Sequence, residues 1–465
     1  MEYRSTRGGA PALGFEEVTL QGLAPDGGLY LPAAWPSLSR DDIGSLAGLP
    51  YAQLAARIMQ PFVGDSLSPG QLLTLCERAY AGFAHPAVTP LVQLGTQHWL
   101  LDLTRGPTLA FKDVALQFLG PLFEMFLTRR ERHLTIVGAT SGDTGSAAIE
   151  ALAGRERVEV FMLHPAGRIS DVQRRQMTTV LAPNIHNIAV AGSFDDAQAL
   201  VKRMFGDPKL ADTLDLGAVN SINWARLLAQ VVYYFAAALQ LGAPARAVAF
   251  SIPCGNFGNV FAGYIAARMG LPVARLVVAT NQNDILHRAL NDGDYSRREV
   301  AATSSPSMDI QIASNFERLL FESSGRDAAA TLRQMTEFES GGRLTLAPKQ
   351  RAMLSPLFTS CAASEEEMAG ALCQAWEETG VLVDPHTAVA LHAAYRQDLR
   401  CEVPVVTLAT AHPGKFRQAV ERAAGTRPSL PGRLGDLFGR EERFVELPND
   451  YETVASFILD AARRS

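Results

Sequence analysis

No two cysteines in this chain stand in a Cys-X-X-Cys pair, and the five present (Cys76, Cys254, Cys361, Cys373 and Cys401) are an odd number. Both facts argue against a full disulfide framework and for a reducing compartment. Metal-binding patterns are missing too. His386 and His392 are six apart and do not share the i, i+4 face of a His-Glu-X-X-His zinc site. Neither Gly-X-Gly-X-X-Gly nor a Walker phosphate loop is found, and no Gly-X-Ser-X-Gly elbow. The net charge is −6 with acids and bases interspersed, so the basic footprint of a nucleic-acid binder is lacking. The small cluster Arg129, Arg130 and Arg132 reads as the exposed C-terminal end of a helix, where cations are favoured. The apolar stretch Leu227 to Leu241 is too short for a bilayer and contains Gln230 and Gln240, so it reads as a buried helix. The opening MEYRSTRGGA lacks the apolar core of a signal peptide. We therefore expect a cytoplasmic protein with neither a membrane nor a nucleic acid as partner.

What is present is material for a large core. Hydrophobic residues make up 47% of the 465 and charged residues 19%, and at roughly 100–200 residues per domain this length predicts two to four domains. The opening region, 1–95, is mixed, with a turn-rich "LAPDGGLYLP" and a helix "YAQLAARIMQPF" expected to break at Pro61. Beyond it, short runs rich in β-branched residues read as buried strands: 134–138, 158–165, 185–192, 247–253, 274–281 and 403–410. Helical patterns alternate with them. One begins near Thr144. Another is "FDDAQALVKRMF", with Phe194, Ala197, Leu200 and Val201 on one face, and a long one ends at Gly242. This alternation predicts an α/β fold with mainly parallel sheets. Residues from about 320 to 375 show no clear strand and are expected to form a helical insertion, and the tail from 426 is expected to be peripheral.

Four loops could carry chemistry. In "GPTLAFKD" (106–113), Lys112 stands at the apparent start of a helix, where a cation is misplaced. That position, with Phe111 packed beside it, favours the neutral amine, as a Schiff-base or nucleophilic lysine requires. Alone, the stretch reads more simply as a solvated lysine in a first helical turn. "GATSGDTGS" (138–146) offers the hydroxyls of Thr140, Ser141, Thr144 and Ser146 with free helix N–H groups, suited to a carboxylate or phosphate. Ordinary N-capping would also explain it. "PCGNFGN" (253–259) has glycines that admit a close backbone approach to a phosphate, or simply make a tight strand-to-helix turn. "NSINWAR" (220–226) gathers Asn220, Ser221, Asn223 and Arg226, either for an oxyanion or as a capped helix with a surface arginine. Taken together, two anion cradles, a desolvated lysine and no metal are the parts of a pyridoxal phosphate (PLP) site.

With those residues in view, the chain closely resembles the threonine synthases, PLP enzymes of the tryptophan-synthase-β type (fold type II). "YRSTRG", "GLAPDGGLYLP", "GPTLAFKD", "TSGDTG", "NSINWARLLAQ", "PCGNFGN", "ATNQND", "PSMDI…SNFERLLFE" and "TAHPGKF" carry the likeness along nearly the whole length. The long N-terminal region is similar to that of the longer bacterial and fungal members. The resemblance implies two open, mainly parallel sheets flanked by helices. The expected division is an N-terminal domain (1–95), a large PLP-binding domain (96–133, 236–320 and 376–425), a small substrate domain (134–235), the insertion (321–375) and the tail (426–465).

The resemblance also implies a lyase activity that converts O-phospho-L-homoserine and water to L-threonine and phosphate, in a monomer or weak homodimer. Lys112 would hold the cofactor. Gly255, Asn256, Phe257, Gly258 and Asn259 would bind its phosphate, Asp143 would face its 3′-oxygen, and Thr410 would meet its pyridine nitrogen. Thr140 and Ser141 would hold the substrate carboxylate. Thr144, Asn220, Ser221 and Arg226 would hold the substrate phosphate, with Lys415 a further anion ligand. Two departures stand out: Thr104-Arg105 where relatives often have Phe-His, and Cys254 where serine is common. An O-phosphohomoserine phospho-lyase would share most of these motifs. A non-catalytic phospho-ligand sensor would not need Lys112.

Overall fold

The β-branched runs fold as strands buried on both faces. In the computed structural model, which describes residues 1–397 and 403–462, they build two open sheets. The larger has the order β11 (Phe358–Ala362), β10 (Val273–Thr280), β9 (Val248–Pro253), β12 (Val405–Ala409), β4 (His98–Asp102), β3 (Leu91–Gln93). All its pairings are parallel except β3 with β4. The smaller is wholly parallel, in the order β13 (Val445–Leu447), β7 (Ile185–Val190), β6 (Val158–Pro165), β5 (Leu134–Ala139), β8 (Leu216–Gly217). A short antiparallel ribbon of β1 (Tyr3–Ser5) and β2 (Tyr30–Pro32) opens the chain.

Side chains alternate across a strand with period two, so each strand feeds two cores. Val158, Val160 and Met162 of β6 join the main core, while Phe161 and Leu163 face a second cluster under the smaller sheet. Leu276 and Val278 of β10 likewise join the main core, and Val277 and Ala279 pack on the other side. The long helix Trp224–Gln240 is buried almost all round, as its apolar composition requires, and packs against the helices Tyr51–Val63, Lys112–Arg129 and Gly258–Arg268.

Three expectations need correction. The Tyr51 helix does not break at Pro61 but runs to Val63. A proline in the last turn removes a single helical hydrogen bond, and Phe62 and Val63 are anchored in the core. The stretch 321–375 is largely helical but also supplies β11, the edge strand of the larger sheet. The tail is not peripheral. It adds β13 to the smaller sheet, and Tyr451, Val454, Ala455 and Ile458 of its helix Tyr451–Ala462 bury against Phe161, Leu163, Ile188 and Val190. Arg129, Arg130 and Arg132 do sit at a helix end, paired with Glu16, Glu17 and Asp215. Cys76, Cys254, Cys361 and Cys373 are free thiols, and Cys401 lies outside the described residues.

Candidate active site

Four segments converge beyond the carboxyl ends of parallel strands, where open α/β sheets bind ligands. β4 leads into 103–111 and the helix Lys112–Arg129. β5 leads into 140–142 and the helix Asp143–Leu152. β9 leads into 254–257 and the helix Gly258–Arg268. β12 leads through Thr410 to the turn Pro413–Lys415.

The loop ahead of Lys112 is laced to the strand beside it. Leu103 N–H donates to Ala409 O at 3.1 Å, Phe111 N–H to Thr410 O at 2.9 Å and His412 N–H to Leu109 O at 3.0 Å. Asp113 accepts from the Thr108 N–H at 2.9 Å and the Thr108 hydroxyl at 2.6 Å. The closed loop turns Lys112 inward, where it is only 7% exposed. Burial lowers the Lys112 ammonium from the usual lysine range. Asp143 opposes that shift, and Lys415 and Arg226 reinforce it. The Nζ lies 3.4 Å from Asp143 Oδ2 and 5.0 Å from the centre of the Phe111 ring. The solvated-lysine reading of this stretch therefore falls. Thr104 and the side chain of Arg105 are spent on Asp102, steadying the turn after β4.

Asp143 is the hub of the site. Its Oδ1 receives Lys415 Nζ at 2.7 Å and Gln173 Nε2 at 2.8 Å. Burial pushes the Asp143 carboxyl up, but Lys415 and Lys112 outweigh it and hold the group far below the usual carboxylate range. Gln173, from the helix Asp171–Thr178, approaches so closely that a Cβ on Gly142 would lie 2.5 Å from its amide carbon. Gly142 also has φ 133°, so only glycine fits. Lys415 is fully buried, and its Nζ also donates to Thr108 O at 2.9 Å. Its ammonium is thus engaged with protein acceptors.

The Thr140 hydroxyl oxygen accepts the N–H groups of Gly142 at 3.0 Å and Gly145 at 2.9 Å. The capping reading therefore holds for its lone pairs, while its proton remains available to a ligand. Ser141 and Thr144, half-buried, border the same helix start.

At 254–259, Phe257 takes a left-handed φ of 63°, and a Cβ on Gly255 would lie 2.5 Å from Ser307 O. Among the described residues, the N–H groups of Gly255, Asn256, Gly258 and Asn259 donate to no other part of the chain. Clustered free N–H groups at a helix start are an anion cradle. The Cys254 thiol beside them is buried and pushed up by that burial, hence unreactive. Thr410, also buried, donates its N–H to Thr387 Oγ1 at 3.3 Å.

Arg226 decides the reading of the fourth loop. Asn223 caps the helix through its Oδ1, 3.0 Å from Ala225 N. Arg226, in the first turn, is 3% exposed, and its Nη1 meets no acceptor among the described residues. Burial alone pushes this guanidinium down to about 10. It is no surface arginine but an uncompensated buried cation.

Several residues that hold the site together were given no role from the sequence, although Asn315 and Arg318 lie in the segment SNFERLLFE. Asn315 Nδ2 donates to Ser221 O and Asn256 O, both at 3.0 Å, and so joins the two anion-facing loops. Arg318 bonds the Asn315 amide oxygen, donates to Ile222 O at 2.7 Å and reaches Tyr30 O at 3.1 Å. The N-terminal region thereby props the 220–226 loop, as does Asn223 Nδ2 on Thr19 O at 2.8 Å. His386 Nε2 accepts the Ser307 N–H at 3.2 Å, which places its proton on Nδ1, 2.6 Å from Asp384 Oδ2. This histidine is structural, and no metal-binding group of side chains occurs among the described residues.

These groups fit PLP. A buried lysine disposed to be neutral can hold its aldehyde carbon, free backbone N–H groups can take its phosphate, and a hydroxyl-bearing residue ends the central strand β12. Comparison with known proteins agrees. The family described as "Pyridoxal-phosphate dependent enzyme" matches residues 83–344. "Threonine synthase N terminus" matches residues 2–80, and "Threonine synthase, C-terminal" residues 387–458. A threonine synthase of Pseudomonas aeruginosa is 51% identical over 465 residues, spanning 100% of this chain and 99% of that protein. The crystal structure of PLP-bound threonine synthase from Brucella melitensis superposes with a TM-score of 0.97 at 48% identity, covering 100% of both chains. The yeast threonine synthase structure gives 0.95 at 40% identity, covering 100% of this chain and 99% of that one.

Proposed function

The chain belongs to the threonine synthase family, and from that premise we propose which of its residues carry the conversion of O-phospho-L-homoserine and water to L-threonine and phosphate. One observation supports the assignment above the others. Lys112 and Lys415, both buried, share one strongly ionised carboxylate, Asp143, and the buried guanidinium of Arg226 has no acceptor at Nη1 among the described residues. Buried positive charge without enough partners is costly, and an anionic occupant relieves that cost.

In this reading the N–H groups of 255–259 hold the cofactor phosphate, Lys112 holds the cofactor at rest, and Asp143 and Thr410 address its 3′-oxygen and ring nitrogen. When bound, the cofactor supplies an electron sink for charge developing on the substrate. Thr140 and Ser141 bind the substrate carboxylate. Arg226, with Asn220, Ser221 and Thr144, grips the phosphate that leaves, and Lys415 adds positive charge to the same cavity. Lys112 Nζ, whose hold on its proton burial weakens, takes the proton from the substrate α-carbon and later returns a proton. Arg226 stabilises negative charge on the departing phosphate and keeps that group beside the reacting carbons.

We take the five-stranded sheet with its helices as the small substrate domain and the six-stranded sheet as the large one. We also propose a cytoplasmic monomer or weak homodimer that binds no nucleic acid. Among the described residues, no helix is long and apolar enough to cross a membrane. The test of function is phosphate release from O-phospho-L-homoserine with amino acids measured in parallel. Threonine and phosphate in equal amounts are expected. Phosphate accompanied by 2-oxobutyrate and ammonia would make the chain a phospho-lyase instead.

A further inference from the structure

We propose that Lys415 is the standing counter-charge of Asp143, and that by occupying Oδ1 it keeps Asp143 from holding Lys112 as an ammonium. This rests on Lys112 being the cofactor lysine and base. The two lysines share one carboxylate unequally. Lys415 Nζ is 2.7 Å from Oδ1, which also accepts from Gln173 at 2.8 Å, whereas Lys112 Nζ is 3.4 Å from Oδ2. Lys415 is locked in place from a second side by Thr108 O at 2.9 Å, and that carbonyl also accepts Gln176 Nε2 at 3.0 Å. The Lys415 side chain is shielded from water.

The partners also come from different sheets. Asp143 starts the helix after β5, and Lys415 ends the turn after β12. The pair therefore fixes the small-sheet carboxylate relative to the large-sheet lysine. The other charged group acting on Lys112 is Arg226, from the helix Trp224–Gln240, while the neighbouring Asp113 carboxylate is turned to Thr108. Without Lys415, Arg226 would still oppose protonation, but the pull of Asp143 on Lys112 would grow and favour its protonated form. Lys415 is thus a positioning residue that acts on the proton affinity at the Lys112 nitrogen.

The test is the pH dependence of the visible absorbance of the PLP-loaded enzyme in Lys415→Gln, which keeps a donor for Thr108 O but loses the charge. The midpoint of the absorbance change should rise by at least one pH unit, and the acid limb of kcat/KM should rise with it. Lys415→Arg should return both toward wild type, and Asp143→Asn should move the midpoint down. Should Lys415→Gln fail to fold, Lys415→Met is read in the same way, and the Arg and Asn variants still fix the sign. A rate loss uniform in pH with an unmoved midpoint overturns the inference and leaves Lys415 merely structural. A visible band that survives Lys112→Ala overturns instead the assignment of Lys112 on which the inference rests.

Discussion

Replacing Arg226 by methionine separates function from stability in a way few substitutions can. The guanidinium is buried, unpartnered at Nη1 among the described residues, and pushed down to about 10 by desolvation alone. That depression corresponds to about 3 kcal/mol of cost carried by the substrate-free protein. Methionine fills a similar volume without the charge, and replacing buried charge by packed apolar atoms is often neutral or stabilising. The substrate-free variant should therefore be as stable as the wild type, or more stable by up to about 3 kcal/mol, in a urea titration. Binding should suffer in the opposite sense. A buried charge-assisted contact to phosphate is worth about 3 kcal/mol, so KM for O-phospho-L-homoserine should rise roughly 100-fold. Inorganic phosphate should raise the melting temperature of the wild type and not of the variant. An unchanged KM together with a loss of more than about 2 kcal/mol in stability would make Arg226 a structural residue and refute the reasoning.

Other substitutions probe the scaffold around the site. Asn315→Ala removes the side-chain donor shared by the carbonyls of Ser221 and Asn256, leaving Asn256 O only the Asn315 N–H, and each lost hydrogen bond costs about 0.5–1.5 kcal/mol. It should weaken both PLP affinity and substrate KM, as read by absorbance titration and steady-state kinetics, and an effect on neither would exclude the clamp. Asp113 supplies a pH signature: burial pushes its carboxyl up to about 6 from an ordinary 3.8. Its contribution to folding is therefore complete below 3.8 and lost as pH rises through about 6. Relative to Asp113→Asn, the wild type should lose about 3 kcal/mol of stability between pH 4 and pH 7, and a difference flat in pH would contradict the assignment.

Much of this architecture was legible in the chain because it rests on local pattern. β5, β6, β7, β9, β10 and β12 are mainly apolar runs rich in β-branched residues, and each anion-facing loop follows a strand or starts a helix. The strands that escaped are mostly short edges, apart from the interior strand β4 (HWLLD), which has no β-branched residue. β13 has three residues, β8 has two, and β11 (FTSCA) mixes polar with apolar side chains. Their pairing comes from the neighbour, not from their own composition. Arg226 could be read as an anion ligand or as a surface group because its burial is imposed by the surrounding fold and not by its own helix. The same holds for Asn315 and Arg318. They look like ordinary residues of a helix start, and only the fold brings Ser221, Asn256 and Tyr30 to them. Lys112 was conspicuous from the outset because it violates the helix-dipole preference, and such local conflicts concentrate at functional sites. Lys415 offered no comparable conflict, and its bond to Asp143 spans 272 positions of sequence.

Borohydride reduction of the PLP-loaded enzyme, followed by peptide mass mapping, tests the central claim most directly, because two buried lysines reach the same carboxylate. The pyridoxyl label is expected on Lys112, in the peptide containing GPTLAFKD. A label on Lys415, or on neither lysine, would contradict the account.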